Sequence, residues 1–156
     1  MEVNVGERAP HFSLRAHDKS EVSLNDYHGK NVVLLFFPLA FSSVCTKELC
    51  AMRDELSDYN HLNTEVIAIS VDSLYTLRKF KEDYGYNFQL LSDFNKEVSR
   101  SFGVLHEEFG LGMRGVAKRS VFIIDKEGII RHKQIKENPA EMPDFRQVLE
   151  TLAIMN

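Results

Sequence analysis

The sequence predicts an α/β fold: a mixed central sheet with helices on both faces and an N-terminal β-hairpin. Three observations carry this expectation. Residues 31–37 (NVVLLFF) and 65–71 (EVIAISV) are nearly continuous in apolar and β-branched residues, as strands covered on both faces are. Stretches of helical periodicity alternate with such runs, which implies βαβ units. Two late β-like runs flank Lys126-Glu127-Gly128, so an antiparallel hairpin joins the parallel core.

Taken in order, residues 12–14 and 21–24 read as a small hairpin around the polar turn 17–20, and 27–30 as a loop carrying Gly29. Pro38 ends the strand 31–37, because it has no N–H to give the ladder. A helix follows, with Val44, Leu49, Met52 and Leu56 on one stripe and Ser42 or Ser43 as its N-cap. After the strand 65–71 comes an amphipathic helix over 73–84, capped by Ser73 and ended by Gly85. Residues 88–91 form a short strand and 95–102 a short helix. Residues 104–117 read as a long loop with three glycines. The strands 119–125 and 129–133 make the late hairpin, and 144–154 the closing helix. The whole order is that of a thioredoxin-like fold. A flavodoxin-like doubly wound sheet fits less well, because of the terminal hairpin.

At 156 residues and 44% hydrophobic, the chain suits one domain, 1–156, with a full core. A net charge of −4 gives no electrostatic reason to bind nucleic acid or an anionic membrane. The first ten residues lack a basic patch followed by an apolar run, so a cytoplasmic location is expected. The longest apolar stretch, 32–41, is half the ~20 residues of a membrane span. Two cysteines are no disulfide scaffold, and in a reducing compartment such a pair is more often catalytic, redox-active or metal-binding. His28, His61 and His132 have no spacing that would complete a metal site with them, so neither metal nor cofactor is expected.

Cys45 falls just after a strand and a proline, in the first turn of a helix. Unpaired N–H groups and the positive end of the helix dipole favour an anion there, and the thiolate is the reactive form of cysteine. The plain alternative is a small buried hydrophobe. The neighbours decide between them. Pro38-Leu39-Ala40-Phe41-Ser42-Ser43-Val44-Cys45 carries the pattern P-x-x-x-S-x-x-C, which resembles the P-x-x-x-T/S-x-x-C signature of the peroxiredoxins. Val5-Gly6-Glu7-Arg8-Ala9-Pro10-His11-Phe12 is similar to that family's opening segment, and Leu24-Asn25-Asp26-Tyr27-His28-Gly29-Lys30 to its approach to the central strand. Arg119 heads the strand where the family carries its active-site arginine. The similarity covers most of the chain in the right order. Phe36-Phe37-Pro38-Leu39-Ala40-Phe41 is similar to the AhpE-type branch, and Cys45-Thr46-Lys47-Glu48-Leu49-Cys50 with Arg53-Asp54 to the bacterioferritin-comigratory (Q-type) branch. Ser42 stands where most of the family has threonine, so the hydroxyl is kept and the χ1-restricting methyl lost.

The resemblance implies a thiol peroxidase that reduces hydrogen peroxide and organic hydroperoxides through a sulfenic acid on Cys45. Arg119 and the backbone N–H groups near Cys45 would stabilise the transition state. Ser42 would bond the peroxide, and Pro38 would shield the sulfur. Glu48, one turn after Cys45, would orient an arginine, either Arg119 or Arg53. Cys50 is expected to resolve the sulfenic acid as an intrachain disulfide, with thioredoxin or a similar thiol as reductant. On a regular helix the two Cα atoms lie roughly 8–9 Å apart on different faces, beyond disulfide reach, so the helix must open from about Ser43 to Met52. The alternative is an inert Cys50 in a one-Cys peroxidase served by an external thiol. The chain stops after its last helix with no further cysteine, which disfavours a disulfide across a dimer. Leu39-Ala40-Phe41, an apolar segment beside the site, suggests a homodimer; the other reading folds Phe41 inward over Cys45. A dithiol oxidoreductase would normally carry Cys-x-x-Cys, and a copper-delivery protein Cys-x-x-x-Cys; neither occurs. A redox sensor or chaperone on the same fold remains as a further role.

Overall fold

The structure, a computed structural model, describes residues 2–155. The chain forms β1 (Ser13–Ala16), β2 (Glu21–Ser23), a 3-10 turn at Leu24–Tyr27, β3 (Asn31–Phe36), α1 (Ser43–Asn60), β4 (Thr64–Ser70), α2 (Leu74–Tyr84) and β5 (Gln89–Ser92). Then follow α3 (Glu97–Ser101), β6 (Leu105–His106), β7 (Val116–Ala117), β8 (Ser120–Ile124), β9 (Ile130–Ile135) and α4 (Phe145–Met155). Seven strands make one sheet in the order β2-β1-β5-β4-β3-β8-β9, and β6 pairs with β7 alone. The three central strands β3, β4 and β5 are parallel; hairpins flank them at both edges, so the sheet is mixed as the sequence predicts.

The alternation of side chains along β3 divides the core. Val33 and Leu35 join Leu49 and Met52 of α1, Leu77 and Phe80 of α2, and Val148 and Leu152 of α4. Val32, Leu34 and Phe36 face the other way, toward Val98 of α3, Phe102, Phe12 and Phe122. There Phe102 lies 5.3 Å from Phe36 and 5.2 Å from Phe122, ring centre to ring centre. Right-handed crossovers explain the division, since β3-α1-β4-α2-β5 winds in one direction and leaves both helices on one face. Among the described residues no helix is long and apolar enough to cross a membrane.

Several elements differ from the expectation. Residues 104–117 are not a plain loop, because two-residue strands close them into a small hairpin whose Gly115 N–H donates to His106 O. The short helix begins at Glu97 and not at residue 95. Lys96 there is left-handed, and the buried Asp93 carboxylate accepts the Val98 and Ser99 N–H groups in place of a local cap. Ser42 stands at the N-cap of α1 without capping it. Its hydroxyl donates backward to Leu39 O at 2.8 Å, and its carbonyl accepts the first helical bond from Thr46 N–H.

Candidate active site

The site forms at the C-terminal end of β3, where α1 starts. Antiparallel pairing sets Ser120 of β8 against Phe36, so the preceding residue, Arg119, lies level with the end of β3. Val121 belongs to the face covered by α1, and Arg119, two residues earlier, points to that same face. On α1, Cys45, Glu48, Leu49 and Met52 are spaced to share one stripe, and all four are buried. Register and helical period thus bring three distant residues together.

Arg119 is the centre of the cluster, 2% exposed. Its Nη2–H donates to Cys45 Sγ at 3.3 Å and its Nη1–H to Glu48 Oε1 at 2.6 Å. Nε–H and Nη2–H both donate to the carbonyl of Pro139, at 3.1 and 3.0 Å. This fork holds the guanidinium plane in one orientation, which a lysine could not match. Burial pulls the Arg119 guanidinium down, but Glu48 and Cys45 outweigh it and the group is raised, so it stays charged. For Glu48 the balance is opposite. Burial pushes its carboxyl up to about 7, although Arg119 pulls it down. Its Oε2 is buried without a hydrogen-bond partner, which fits a carboxyl taken far out of water.

Cys45 is fully buried and free. The N–H groups of Ser43, Val44 and Cys45 lie ahead of the first helical bond of α1 and point out of its N-terminal end. Together with Arg119 they form a donor-rich place in which negative charge on sulfur or oxygen is stabilised.

The loop leading in carries Pro38, which is buried, and Ser42, which is half-buried. This loop is held by a residue that sequence reading missed. Asp72, just beyond β4, accepts Ala40 N–H at 2.8 Å and Ser70 Oγ–H at 2.6 Å. A usable signal existed: adjacent parallel strands end on one edge of the sheet, so a carboxylate following β4 lies beside the segment following β3. The Pro139 carbonyl left no such signal, because a backbone acceptor has no residue type.

Cys50 and Arg53 stand apart from this cluster. Arg53 follows Glu48 by five residues, ~140° around the helix, and cannot reach it. It bonds Asp54 Oδ1 at 2.9 Å and the Tyr84 carbonyl at 2.5 Å, so the partner of Glu48 is Arg119 and the expected alternative, Arg53, is excluded. Cys50 is half-buried and free, 3.6 Å from Tyr86 Oη. Among the described residues no group of three or more His, Cys, Asp or Glu is placed to hold a metal ion.

The model of the AhpC/TSA family matches residues 5–133. The chain belongs to the AhpC/TSA family. This peroxiredoxin is 39% identical over 156 residues to alkyl hydroperoxide reductase E of Mycobacterium tuberculosis, covering 98% of each chain. It is 38% identical over 161 residues to the mitochondrial thioredoxin-dependent peroxide reductase of Bos taurus, covering 97% of its own length and 59% of that protein's. Among solved structures it resembles the peroxidoxin BcpB of Mycobacterium tuberculosis with a TM-score of 0.87 at 27% identity, over 99% of both chains. The reduced 2-Cys peroxiredoxin of Plasmodium vivax gives a TM-score of 0.87 at 32% identity, over 98% of this chain and 82% of that one. The protein is accordingly a thiol peroxidase on a thioredoxin-like fold.

Proposed function

We propose that Cys45 is the peroxidatic nucleophile of this thiol peroxidase, acting on hydrogen peroxide and organic hydroperoxides. The observation that carries the reading is the 3.3 Å contact from Arg119 Nη2–H to Cys45 Sγ within a buried, oriented fork. The Cys45 thiolate attacks one peroxide oxygen, the S–O bond forms as the O–O bond breaks, and the other oxygen leaves as water or alcohol after taking a proton. Charge moves from sulfur to the departing oxygen, and the Arg119 N–H on the sulfur can follow it. Glu48 and the Pro139 carbonyl keep the guanidinium in place for that hand-over. Ser42 and Pro38 line the approach, Ser42 as a peroxide ligand and Pro38 as a shield.

Cys50 then resolves the sulfenic acid. Its sulfur attacks Cys45 Sγ, the S–O bond breaks, and the hydroxyl leaves as water with the Cys50 thiol proton. A dithiol such as thioredoxin returns both cysteines to thiols; the name of the bovine mitochondrial relative supports this class of donor. A location such as the cytoplasm suits an enzyme that depends on a reduced thiol pool. A second reading, a one-Cys peroxidase, draws on the packing of Cys50 against the apolar cluster beneath α1. We also assign the protein to a homodimer built around the exposed Phe41.

One equivalent of peroxide followed by mass mapping tests the assignment. Cys45→Ser should lose the reaction, and Cys50→Ser should keep a single oxidation at Cys45. The reverse pattern overturns the choice of nucleophile. A wild-type protein left with a Cys45 sulfenic acid, a free Cys50 and unchanged helical circular dichroism overturns resolution by Cys50.

A further inference from the structure

Resting on the reading that Cys50 resolves the Cys45 sulfenic acid, we propose that Tyr86 is a positioning residue that holds Cys50 in the folded helix and sets the rate of disulfide formation. Thr46, Cys50 and Arg53 follow one another at spacings of four and three, so they form a second stripe on α1, distinct from the stripe of Cys45 and Glu48. This stripe faces the segment Tyr84–Asn87, which leads from α2 into β5. Four contacts join the two. Tyr86 Oη–H donates to Thr46 O at 3.4 Å, and Cys50 Sγ lies 3.6 Å from the same hydroxyl. Arg53 Nη1–H donates to Tyr84 O at 2.5 Å, and Asn87 Nδ2–H to Arg53 O at 3.4 Å.

The contacts are of unequal strength, one charged and short and the other three neutral and long. The hydroxyl has one proton, and Thr46 O takes it; Cys50 S–H is then the donor to Tyr86 Oη. Both bonds are neutral and long, hence weak. The Arg53 bond is charged and short, hence strong. The weak pair spans the residues that must unwind before the two sulfurs can meet. The strong Arg53–Tyr84 bond lies beyond them, with the weaker Asn87 contact to Arg53 O beside it, and marks where α1 remains folded. Tyr86 is well suited to hold without moving. It is 3% exposed and its ring stacks between Tyr84 and Phe88, at 5.7 and 5.6 Å. Burial raises its phenol well above the usual range, so it stays a hydroxyl at any pH the enzyme meets. While the sulfenic acid waits, a second peroxide can convert it to sulfinic acid, so the rate of opening also decides how readily the enzyme is over-oxidised.

Tyr86→Phe removes the hydroxyl and keeps the ring stack. Thr46 O retains its helical partner, so no buried acceptor is orphaned and the fold should survive. Rapid mixing with one equivalent of peroxide, quenched and mapped, separates the two steps. Oxidation of Cys45 should keep its wild-type rate, and the Cys45–Cys50 disulfide should form ~3–10-fold faster, the effect of losing one or two neutral hydrogen bonds. Over-oxidation at excess peroxide should fall by a similar factor. Hydrogen exchange of the reduced protein should accelerate at the amides of residues 46–50 and stay unchanged in β3 and β4. A disulfide forming at the wild-type rate, or exchange accelerated evenly through the molecule, overturns the role of Tyr86 alone. A wild-type protein that forms no Cys45–Cys50 disulfide at all overturns the resolution reading, and this role falls with it.

Discussion

At the residue scale the site turns on how differently the balance between burial and pairing falls for its two ionisable members, Arg119 and Glu48. Arg119 keeps its charge because two groups that favour it, Glu48 and Cys45, outweigh its burial. Removing it should therefore strike the chemistry and the fold together. Arg119→Ala should slow Cys45 oxidation by ~10²–10³, the usual loss for one preorganised transition-state donor. It should also lower the melting temperature, because it leaves a buried carboxyl without its partner. Arg119→Lys keeps the charge without the fork and should recover stability more than rate. An Arg119→Ala protein that oxidises at the wild-type rate removes Arg119 from the mechanism. Glu48 gives a pH signature. Its folded-state value, about 7, lies above its ordinary 4.5, so the folded protein holds the proton more tightly than the unfolded chain. Such a group contributes stability that is fully present below the ordinary value and is lost as pH rises through the folded one. Glu48→Gln cannot titrate. The stability of wild type relative to Glu48→Gln should thus decline between about pH 5 and about pH 8. A difference that stays flat, measured by denaturant titration across that range, contradicts the raised carboxyl.

At the element scale the decisive piece is the turn from β3 into α1. Phe41 there has φ 69, in the left-handed region that a bulky residue rarely occupies. The surroundings must hold it. Phe41 packs its ring 4.9 Å from Phe80 of α2, and Asp72 fixes Ala40 from the other side. Ser92 Oγ–H donates to Asp72 O at 2.6 Å, so the ends of β4 and β5 brace the same residue. Asp72→Ala should cost about 1–3 kcal/mol, the range for an acceptor lost from a partly buried donor. It should slow Cys45 oxidation as the loop loosens, while Asp72→Asn, which keeps an acceptor oxygen, should recover most of both. Thermal melts with peroxide kinetics check this, and an alanine variant unchanged in both would show that the loop holds itself. This turn also shows what sequence reveals of elements. The strand, the proline and the start of α1 were legible, because a continuous apolar run, a missing N–H and a helical stripe are all local. The brace from Asp72 is a tertiary contact between strand ends and needed the register. The pair β6 and β7 escaped for another reason: two residues are too few to show a period.

At the scale of the whole molecule, three residues of the expected site, Cys45, Glu48 and Arg119, meet because sheet register and helix period agree, and the ordered motifs already indicated that agreement. Arg53 and Cys50 needed the structure, since a motif fixes spacing along the chain but not which stripe of a helix meets which neighbour. The same limit applies to Phe41. Apolarity alone left two fates open, folding inward over Cys45 or facing outward. The ring lies against Phe80 and Tyr84, at 4.9 and 6.4 Å, and 44% of the residue remains exposed. With Leu39 and Ala40 half-buried beside it, Phe41 has the form of an interface anchor, an aromatic residue already ordered on one side and free on the other. A stable interface covers roughly 800 Å² on each partner, so such an anchor would sit within a patch of about 20–30 residues. Sedimentation at micromolar concentration should show a dimer of the reduced protein. Phe41→Glu, which puts a charge where desolvation is required, should shift it to monomer at the same concentration. The backbone strain at φ 69 is common to both proteins, so the change of residue does not add to it. A wild type that sediments only as monomer rules out the dimer, and a Phe41→Glu protein that remains dimeric moves the interface to another surface.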